Sequence, residues 1–327
     1  MNAIYGNIRW REIAGKGGHI VERVPNNTLS LDIQTRSFTK VVFDTIKIGI
    51  IKSNLIAMFA GLCMALYVEQ LSIFDQIGPI VLALIGSSLV IGSAGVFNNL
   101  YDRDIDAIME RTRKRPTVTG QVGTKSGLII GFSTAVLGMI VLYLASPLAA
   151  LFGYLGLFFY VVPYTMWTKR RTIYNTEVGS LSGAMPPLIG WAAISNDITH
   201  PAALAIFMMM LLWQMPHFYA IAIRRMEEYR AANIPMLPVV KGIRRTYVQM
   251  NAYLVALLLS SLLFWSFHPV IALTNAALSG WWIVLSVSGY RRKPENKWAN
   301  SMFGFSLLHI TVLMLGIIGY SLIAPLL

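Results

Sequence analysis

Long uncharged apolar segments alternate with short charged ones over most of the chain. A helix needs about 20 mostly apolar residues to cross a bilayer, so each long segment predicts one span. Two segments, 126–168 and 246–290, are of double length and are interrupted by Ser146-Pro147 and His268-Pro269, which favour a turn. The pattern predicts an all-α membrane protein with nine transmembrane helices: 53–68, 76–101, two in 126–168, 178–196, 198–223, two in 246–290, and 298–327.

The positions of the basic residues test this count. All 27 Lys and Arg residues fall in the N-terminal segment up to Lys52 and in the loops that nine helices place on the same side, which are 102–125, 169–177, 224–245 and 291–297. Because basic loops remain in the cytoplasm, we expect a cytoplasmic N-terminus and an outside C-terminus. Residues 1–40 have mixed charge and no apolar core of signal-peptide length. We therefore expect a mobile cytoplasmic arm, 1–40, before a membrane domain, 41–327.

Composition narrows the class of protein. Of the 327 residues, 55% are hydrophobic and only 13% are charged, which is too apolar for one soluble domain. The net charge is +12, and the basic residues responsible for it lie in the predicted loops and are not clustered on a soluble face. We therefore expect the lipid bilayer as partner, and not nucleic acid. The single cysteine, Cys63, excludes an intrachain disulfide and a cysteine metal cage.

The loop after the second predicted helix begins with an acidic cluster. Asn98, Asp102 and Asp106 are four residues apart, so their oxygens share one stripe if the helix continues past the membrane surface. Such a stripe suits Mg²⁺, which is commonly shared between carboxylates and a substrate phosphate. The alternative is a solvated helix end whose carboxylates pair with neighbouring Arg side chains. The position at the bilayer edge favours a site, as does the excess of cations that follows: Arg111, Arg113, Lys114 and Arg115.

Three stretches carry a family resemblance. They are NNLYDRDIDAIMERTRKRP from Asn98, YTMWTKRRTIYN from Tyr164, and WQMPHFYAIAIRRMEEYRAANIPMLPVVK from Trp213. In this order, and at the ends of helices on one predicted side, they resemble the motifs of the UbiA-type intramembrane prenyltransferases, in the variant typical of heme O synthases. The resemblance extends from about residue 45 to the C-terminus. It implies a nine-helix prenyltransferase bundle.

The resemblance also implies an activity. A farnesyl group would pass from farnesyl diphosphate to a vinyl group of heme b, with addition of water and with Mg²⁺ as cofactor. Asn98, Asp102 and Asp106 would hold the metal and the diphosphate. Further substrate contacts are expected from Arg103, Arg111, Arg113, Arg115, Lys169, Arg170, Asn175, Arg224, Glu228 and Tyr229. The expected location is a bacterial plasma membrane with a cytoplasmic active site, and a heme A synthase is a candidate partner.

Two assignments remain open at this point. The second acidic motif of the family normally contains aspartate and is Glu227-Glu228 here, which is either a second metal site or a helix-face salt bridge to Arg224. His217 is expected to contact heme or to handle a proton, although a lone His in an apolar helix is more often a core residue. His309 is expected to be such a core residue.

Other classes of protein share part of this pattern. A related prenyltransferase with a quinone-precursor acceptor would share the first motif, but the KRRT and WQMPHF stretches resemble the heme branch. An ion-coupled transporter could use Asp102 and Asp106, yet transporters usually place charge near the bilayer midplane and contain repeated halves. A non-catalytic oxidase assembly factor would have no need for an intact Asn98, Asp102 and Asp106.

Overall fold

Helices form almost all of the structure, a computed structural model that describes residues 37–326, and this part contains no β-strand. The predicted arm 1–40 lies almost entirely outside the described residues, and the first helix begins inside it. In chain order the helices are α1 (Phe38–Ile46), α2 (Ile48–Val68), α3 (Ile77–Tyr101), α4 (Arg103–Ile108), α5 (Thr124–Ala145), α6 (Pro147–Phe159), α7 (Asn175–Gly183), α8 (Met185–Ala192), α9 (Pro201–Arg224), α10 (Met226–Ala231), α11 (Leu237–Ser260), α12 (Pro269–Arg292) and α13 (Glu295–Ile323). A π-helix (Tyr160–Thr168) continues α6, a 3-10 helix (Ser261–Ser266) continues α11, and another (Ala324–Leu326) continues α13.

Eight helical segments of the described chain are long and apolar enough to cross a membrane. They are α2, α3, α5, α6 with the π-helix, α9, α11 with its 3-10 helix, α12 and α13. The prediction of an all-α membrane protein is thereby confirmed. The predicted fifth span, 178–196, is occupied by α7 and α8, neither of which is long enough to cross alone.

Both double-length segments turn where their prolines predict. The Ser146 hydroxyl accepts hydrogen bonds from the N–H groups of Leu148 (3.2 Å) and Ala149 (3.4 Å) and so caps α6. At the second turn, Nδ1 of His268 accepts from the N–H of Val270 at 3.3 Å. A proline follows each cap, at the first position of the next helix, where its missing N–H leaves no bond unmade.

The interruption between α7 and α8 places α8 directly against α2. A Cβ atom added at Gly190 would lie 1.9 Å from the carbonyl oxygen of Met58, and one added at Gly61 would lie 2.1 Å from that of Pro187. The two helix backbones are therefore in contact, which only glycine allows. This contact fixes α8 and, through the chain, holds α7 beside the π-helix.

Candidate active site

Three loops that carry the sequence motifs meet at one end of the bundle. We call them motif loops 1, 2 and 3: residues 102–123, 169–174 and 225–236. Ile105 and Met109 in loop 1 pack with Ile234 of loop 3 in a small hydrophobic cluster. The Asn175 side-chain amide, directly after loop 2, donates to the carbonyl of Pro235 at 3.4 Å. These contacts position residues that are far apart in the sequence next to each other.

The predicted acidic stripe is present at the junction of α3 and α4. Backbone hydrogen bonds from Asp102 to Asn98 (2.9 Å) and from Asp106 to Asp102 (2.8 Å) keep helical spacing across the junction, although Asp102 itself lies outside both helices. The three residues are only 3%, 0% and 3% exposed, for Asn98, Asp102 and Asp106 respectively. They do not form a solvated helix end.

The Asn98 side chain connects three parts of the chain. Its amide nitrogen donates to Oδ2 of Asp102 at 2.7 Å and to the hydroxyl of Thr165 at 3.0 Å. Its amide oxygen accepts from Nζ of Lys47, which lies between α1 and α2. Thr165 belongs to the π-helix, which contains Pro163, and π-helical turns occur frequently at functional sites.

Basic side chains surround the buried carboxylates. Lys169 Nζ pairs with Asp102, and Nη1 of Arg115 donates to Oδ2 of Asp106 at 2.5 Å. Lys47 lies close to the same group, and its pKa is well below the usual range because it is buried and because Arg115 and Lys169 repel its charge. Lys169 and Arg115 balance the two buried carboxylates, and an anion bound beside Lys47 would favour the charged form of that lysine.

Arg170 forms the outer edge of the cluster. Its guanidinium donates to both carboxylate oxygens of Asp104 at 2.7 Å, and this hydrogen bonding lowers the pKa of Asp104. The guanidinium also lies 3.6 Å from Oδ1 of Asp102. Beside this pair is an open cleft of about 610 Å³, lined by Leu100, Tyr101, Arg103, Asp104, Ala107, Val118 and Arg170.

The donor set fits a cation that is shared with a phosphate group. Oδ1 of Asp102 and Oε2 of Glu228 are buried carboxylate oxygens with no hydrogen-bond partner in residues 37–326. Within this range, no three His, Cys, Asp or Glu side chains come together as a complete metal site. A Mg²⁺ ion here would therefore need phosphate or water ligands in addition to protein oxygens, which is its usual preference.

The second acidic motif forms helix-face salt bridges, as one of the two alternatives from sequence predicts, but its partners are Arg225 and Arg230 and not Arg224. Nη1 of Arg225 donates to Oε1 of Glu228 at 2.6 Å, and Arg230 pairs with Glu227. These pairs have the helical spacing of three residues. The guanidinium carbon of Arg224 instead lies 4.4 Å from the centre of the Phe303 ring.

The remaining predicted residues lie at or near the motif loops. Arg111 and Arg113 are exposed, and Arg113 is 3.8 Å from Glu110. Tyr229 packs against the hydrophobic cluster of loops 1 and 3. The Asn175 amide also donates to the carbonyl of Thr172 at 2.8 Å, so in this structure it connects loop segments.

The two membrane histidines differ in their surroundings. His217 is half-buried on α9, its Nδ1 is 2.7 Å from the hydroxyl of Ser306, and its ring lies between those of Trp213 and Phe303. His309 is completely buried, with Nε2 3.2 Å from the hydroxyl of Ser279, so the prediction of a core residue is confirmed.

Sequence reasoning missed two members of the cluster. Lys47 was counted only as one of many basic residues that indicate topology, and nothing in its local sequence distinguishes it. Thr165 lies within the second motif stretch, but its contact with Asn98 depends on the π-helix. The proline at position 163 was the one available signal of irregular helix geometry.

Comparison with known proteins defines the class. The model of the UbiA prenyltransferase family matches residues 54–309, and the chain belongs to this family. Within it, the chain is 57% identical over 297 residues to the protoheme IX farnesyltransferase of Shouchella clausii (strain KSM-K16), covering 91% of this chain and 96% of that protein. It is 45% identical over 292 residues to protoheme IX farnesyltransferase 2 of Bacillus subtilis (strain 168), covering 89% and 95%.

Solved structures share the fold at low sequence identity. A structure of digeranylgeranylglyceryl phosphate synthase gives a TM-score of 0.71 at 17% identity, covering 87% of this chain and 98% of that chain. A UbiA homologue from Archaeoglobus fulgidus bound to DMAPP and Mg²⁺ gives 0.64 at 14% identity, covering 85% and 99%. These likenesses establish the UbiA fold for the described chain.

Proposed function

We propose that the protein transfers the farnesyl group of farnesyl diphosphate to a vinyl group of heme b, with addition of water, and releases heme O and diphosphate. The observation that carries this proposal is the set of basic side chains, Lys47, Arg115 and Lys169, that surrounds the buried Asp102 and Asp106 where the three motif loops meet. The 57% identity to a protoheme IX farnesyltransferase over nearly the whole chain supports heme b as acceptor.

The donor half of the reaction belongs to the cation cluster. The bond between C1 of the farnesyl chain and the diphosphate oxygen breaks, and its electron pair leaves with the diphosphate. Three basic side chains can turn from their present partners toward this leaving group: Lys47 from Asn98, Arg115 from Asp106 and Lys169 from Asp102. Arg170 beside the open cleft and the exposed Arg111 and Arg113 are further candidates. Preorganised positive charge of this kind stabilises the transition state.

We assign the Mg²⁺ site to the same cluster. Asn98, Asp102 and Asp106 would hold the ion, and the unpartnered Oε2 of Glu228 is the candidate for a second one, with Glu227. When bound, Mg²⁺ neutralises charge on the departing diphosphate. The protein's part is to place the oxygens and to exclude water from the reacting carbon.

The acceptor half is assigned to the α9 side of the bundle. The vinyl π electrons form a bond to farnesyl C1, and water captures the resulting carbocation next to the porphyrin and loses a proton. His217 and Arg224 lie on α9 in the third motif stretch and are assigned to heme; Arg103, Asn175 and Tyr229 are secondary contacts. The apolar bundle protects the cation from premature capture.

The topology forms part of the proposal. Together α7 and α8 extend over 175–192, about 27 Å at helical rise, which is close to the thickness of a bilayer core. We therefore count them as one interrupted crossing, which brings the total number of crossings to nine. The motif loops then face the cytoplasm of a bacterial cell and the C-terminus lies outside. A heme A synthase is the proposed recipient of the product.

The test is to incubate the purified protein with heme b, farnesyl diphosphate and Mg²⁺ and to detect heme O by mass spectrometry. We expect product only when all three are present and none after chelation of the metal. Parallel reactions contain 4-hydroxybenzoate in place of heme b. Farnesylation of that acceptor and not of heme would make the protein a quinone-type prenyltransferase and would overturn the assignment.

A further inference from the structure

Ser306 of α13 holds the ring of His217 in one orientation. The hydroxyl of Ser306 is completely buried, and it donates to the carbonyl oxygen of Phe303 at 2.5 Å. The backbone carbonyl of Ser306 accepts from the indole N–H of Trp213 at 3.0 Å. His217 stacks on Trp213, with ring centres 4.6 Å apart, and contacts Phe303 on its other side at 5.2 Å.

These hydrogen bonds favour one tautomer of the histidine. A serine hydroxyl has one proton to donate, and Ser306 gives it to Phe303. The 2.7 Å contact between Ser306 and Nδ1 of His217 is therefore best satisfied when Nδ1 carries the proton. Nε2 is left with an available lone pair, and it has no hydrogen-bond partner in the part of the chain that the structure describes.

A neutral imidazole with one N–H donated to a fixed acceptor and a free second nitrogen is the usual form of a metal-ligating histidine. Heme iron commonly takes such a histidine as axial ligand. The core residue His309 also has a serine partner, but it is completely buried, whereas His217 is half-exposed. Nε2 of His217 is therefore the imidazole nitrogen that can reach a bound molecule.

Arg224 lies on the same side of α9 as His217. It is seven residues further along, two helical turns or about 10 Å, and its guanidinium rests over the ring of Phe303, which also contacts His217. Arg224 is exposed and forms no ion pair within the described residues. A guanidinium at a distance from the iron ligand matches the carboxylates at the edge of a heme.

We propose, on the basis of the proposed function, that Nε2 of His217 ligates the iron of the acceptor heme, that Ser306 positions this ligand, and that Arg224 pairs with a heme propionate. The porphyrin would then lie at the α9–α13 interface. Iron ligation would fix the position of the porphyrin, and the propionate contact would fix its rotation about the iron–nitrogen bond and so select which edge faces the diphosphate cluster.

The test uses the purified full-length protein titrated with heme b, followed by absorption and electron paramagnetic resonance. We expect a histidine-ligated spectrum for the parent. His217→Ala should lose this signature and bind heme about tenfold or more weakly, while its binding of iron-free protoporphyrin IX and of a farnesyl diphosphate analogue stays unchanged. Added imidazole should restore the signature. His268→Asn, which removes an imidazole from a helix cap but keeps a capping side chain, is the control.

Two further variants separate the roles. Ser306→Ala should weaken heme binding about tenfold, whereas Ser306→Thr, which keeps the hydroxyl, should bind as the parent does. Arg224→Gln should weaken binding without changing the axial signature. An unchanged heme spectrum in His217→Ala would overturn iron ligation, even if heme O formation stopped, since His217 would then act on the reaction.

The proposed function and the iron ligand can fail separately. A parent protein that makes heme O without a histidine-ligated spectrum contradicts the ligand alone. A parent that gives the histidine signature but produces no heme O contradicts the proposed function alone. Absence of heme b binding contradicts both.

Discussion

The side-chain amide of Asn98 donates to the hydroxyl of Thr165 at 3.0 Å, which connects the end of α3 to the π-helix that follows α6. The same amide group also donates to Asp102. Orientation of the first motif therefore depends on a residue 67 positions later in the chain.

Thr165→Val should impair binding of the diphosphate substrate. The change preserves side-chain shape but leaves a buried N–H of Asn98 without an acceptor, a loss of about 1–3 kcal/mol. We expect about tenfold weaker Mg²⁺-dependent binding of a farnesyl diphosphate analogue, measured by calorimetry. Thr165→Ser keeps the hydroxyl and should bind like the parent. Equal affinities for the Val and Ser variants would show that the contact has no role in the site.

Asp102→Asn should abolish most turnover. The amide keeps the shape but loses the charge that attracts a cation, and loss of one such interaction lowers rates about 10²-fold or more. Heme O formation and analogue binding should both fall, while heme b binding is retained. The matched control is Asp104→Asn, two residues away and largely exposed, which should have a much smaller effect. Comparable losses in the two variants would argue against a special role for Asp102.

Lys47→Gln should weaken diphosphate binding, although no sequence motif contains this residue. It removes a basic side chain, which a bound anion would favour in its charged form and which donates to the Asn98 oxygen. We expect a several-fold loss of analogue affinity that shrinks at high salt, because screening already reduces the attraction there. Lys52→Gln, five residues further on and exposed, should leave the affinity unchanged.

Accessibility labelling should separate the two sides of the membrane. In a Cys63→Ala background, single cysteines at Glu110 and Ala231 should react with an impermeant reagent only from the cytoplasmic side, and one at Asp197 only from outside. All three positions are exposed. Labelling of positions 110 and 197 from the same side would contradict an odd number of crossings between them.

Gly190→Ala should destabilise the bundle. The new Cβ would overlap the carbonyl of Met58 and force α8 away from α2, at a cost of about 1–3 kcal/mol. Gly280→Ala, in a helix position with no neighbouring atom within 4 Å, should instead be neutral or stabilise by up to about 1 kcal/mol. Thermal unfolding in detergent measures both. A melting temperature for Gly190→Ala equal to that of Gly280→Ala would contradict the close packing.

Much of the helical layout follows from local physics that can be seen in the sequence. Apolar length predicts nine spans, of which the described chain has eight as long helical segments, and Pro147 and Pro269 mark the turns because proline cannot donate within a helix. The spacing of Asn98, Asp102 and Asp106 predicts their common stripe, since helical hydrogen bonding continues across the junction.

What the sequence does not predict depends on long-range packing. The interruption at Ala184 comes directly before Pro186 and Pro187, which favour a new helix start, but the packing of α8 on the backbone of α2 is not encoded by any local pattern. The choice of Arg225 and Arg230 as partners of Glu228 and Glu227 depends on how α9 ends and α10 begins. Lys47 reaches Asn98 because its own backbone adopts a left-handed conformation between two helices.

The π-helix makes chain length a constraint on the site. Such a helix carries additional residues per turn, and here the N–H of Lys169 reaches back five residues to the carbonyl of Tyr164. Deletion of a single residue, with the wide turns kept, would rotate everything that follows by about 100°. Lys169 would then point away from Asp102. Insertions and deletions in this segment should therefore be tolerated far less than substitutions on its lipid-facing side.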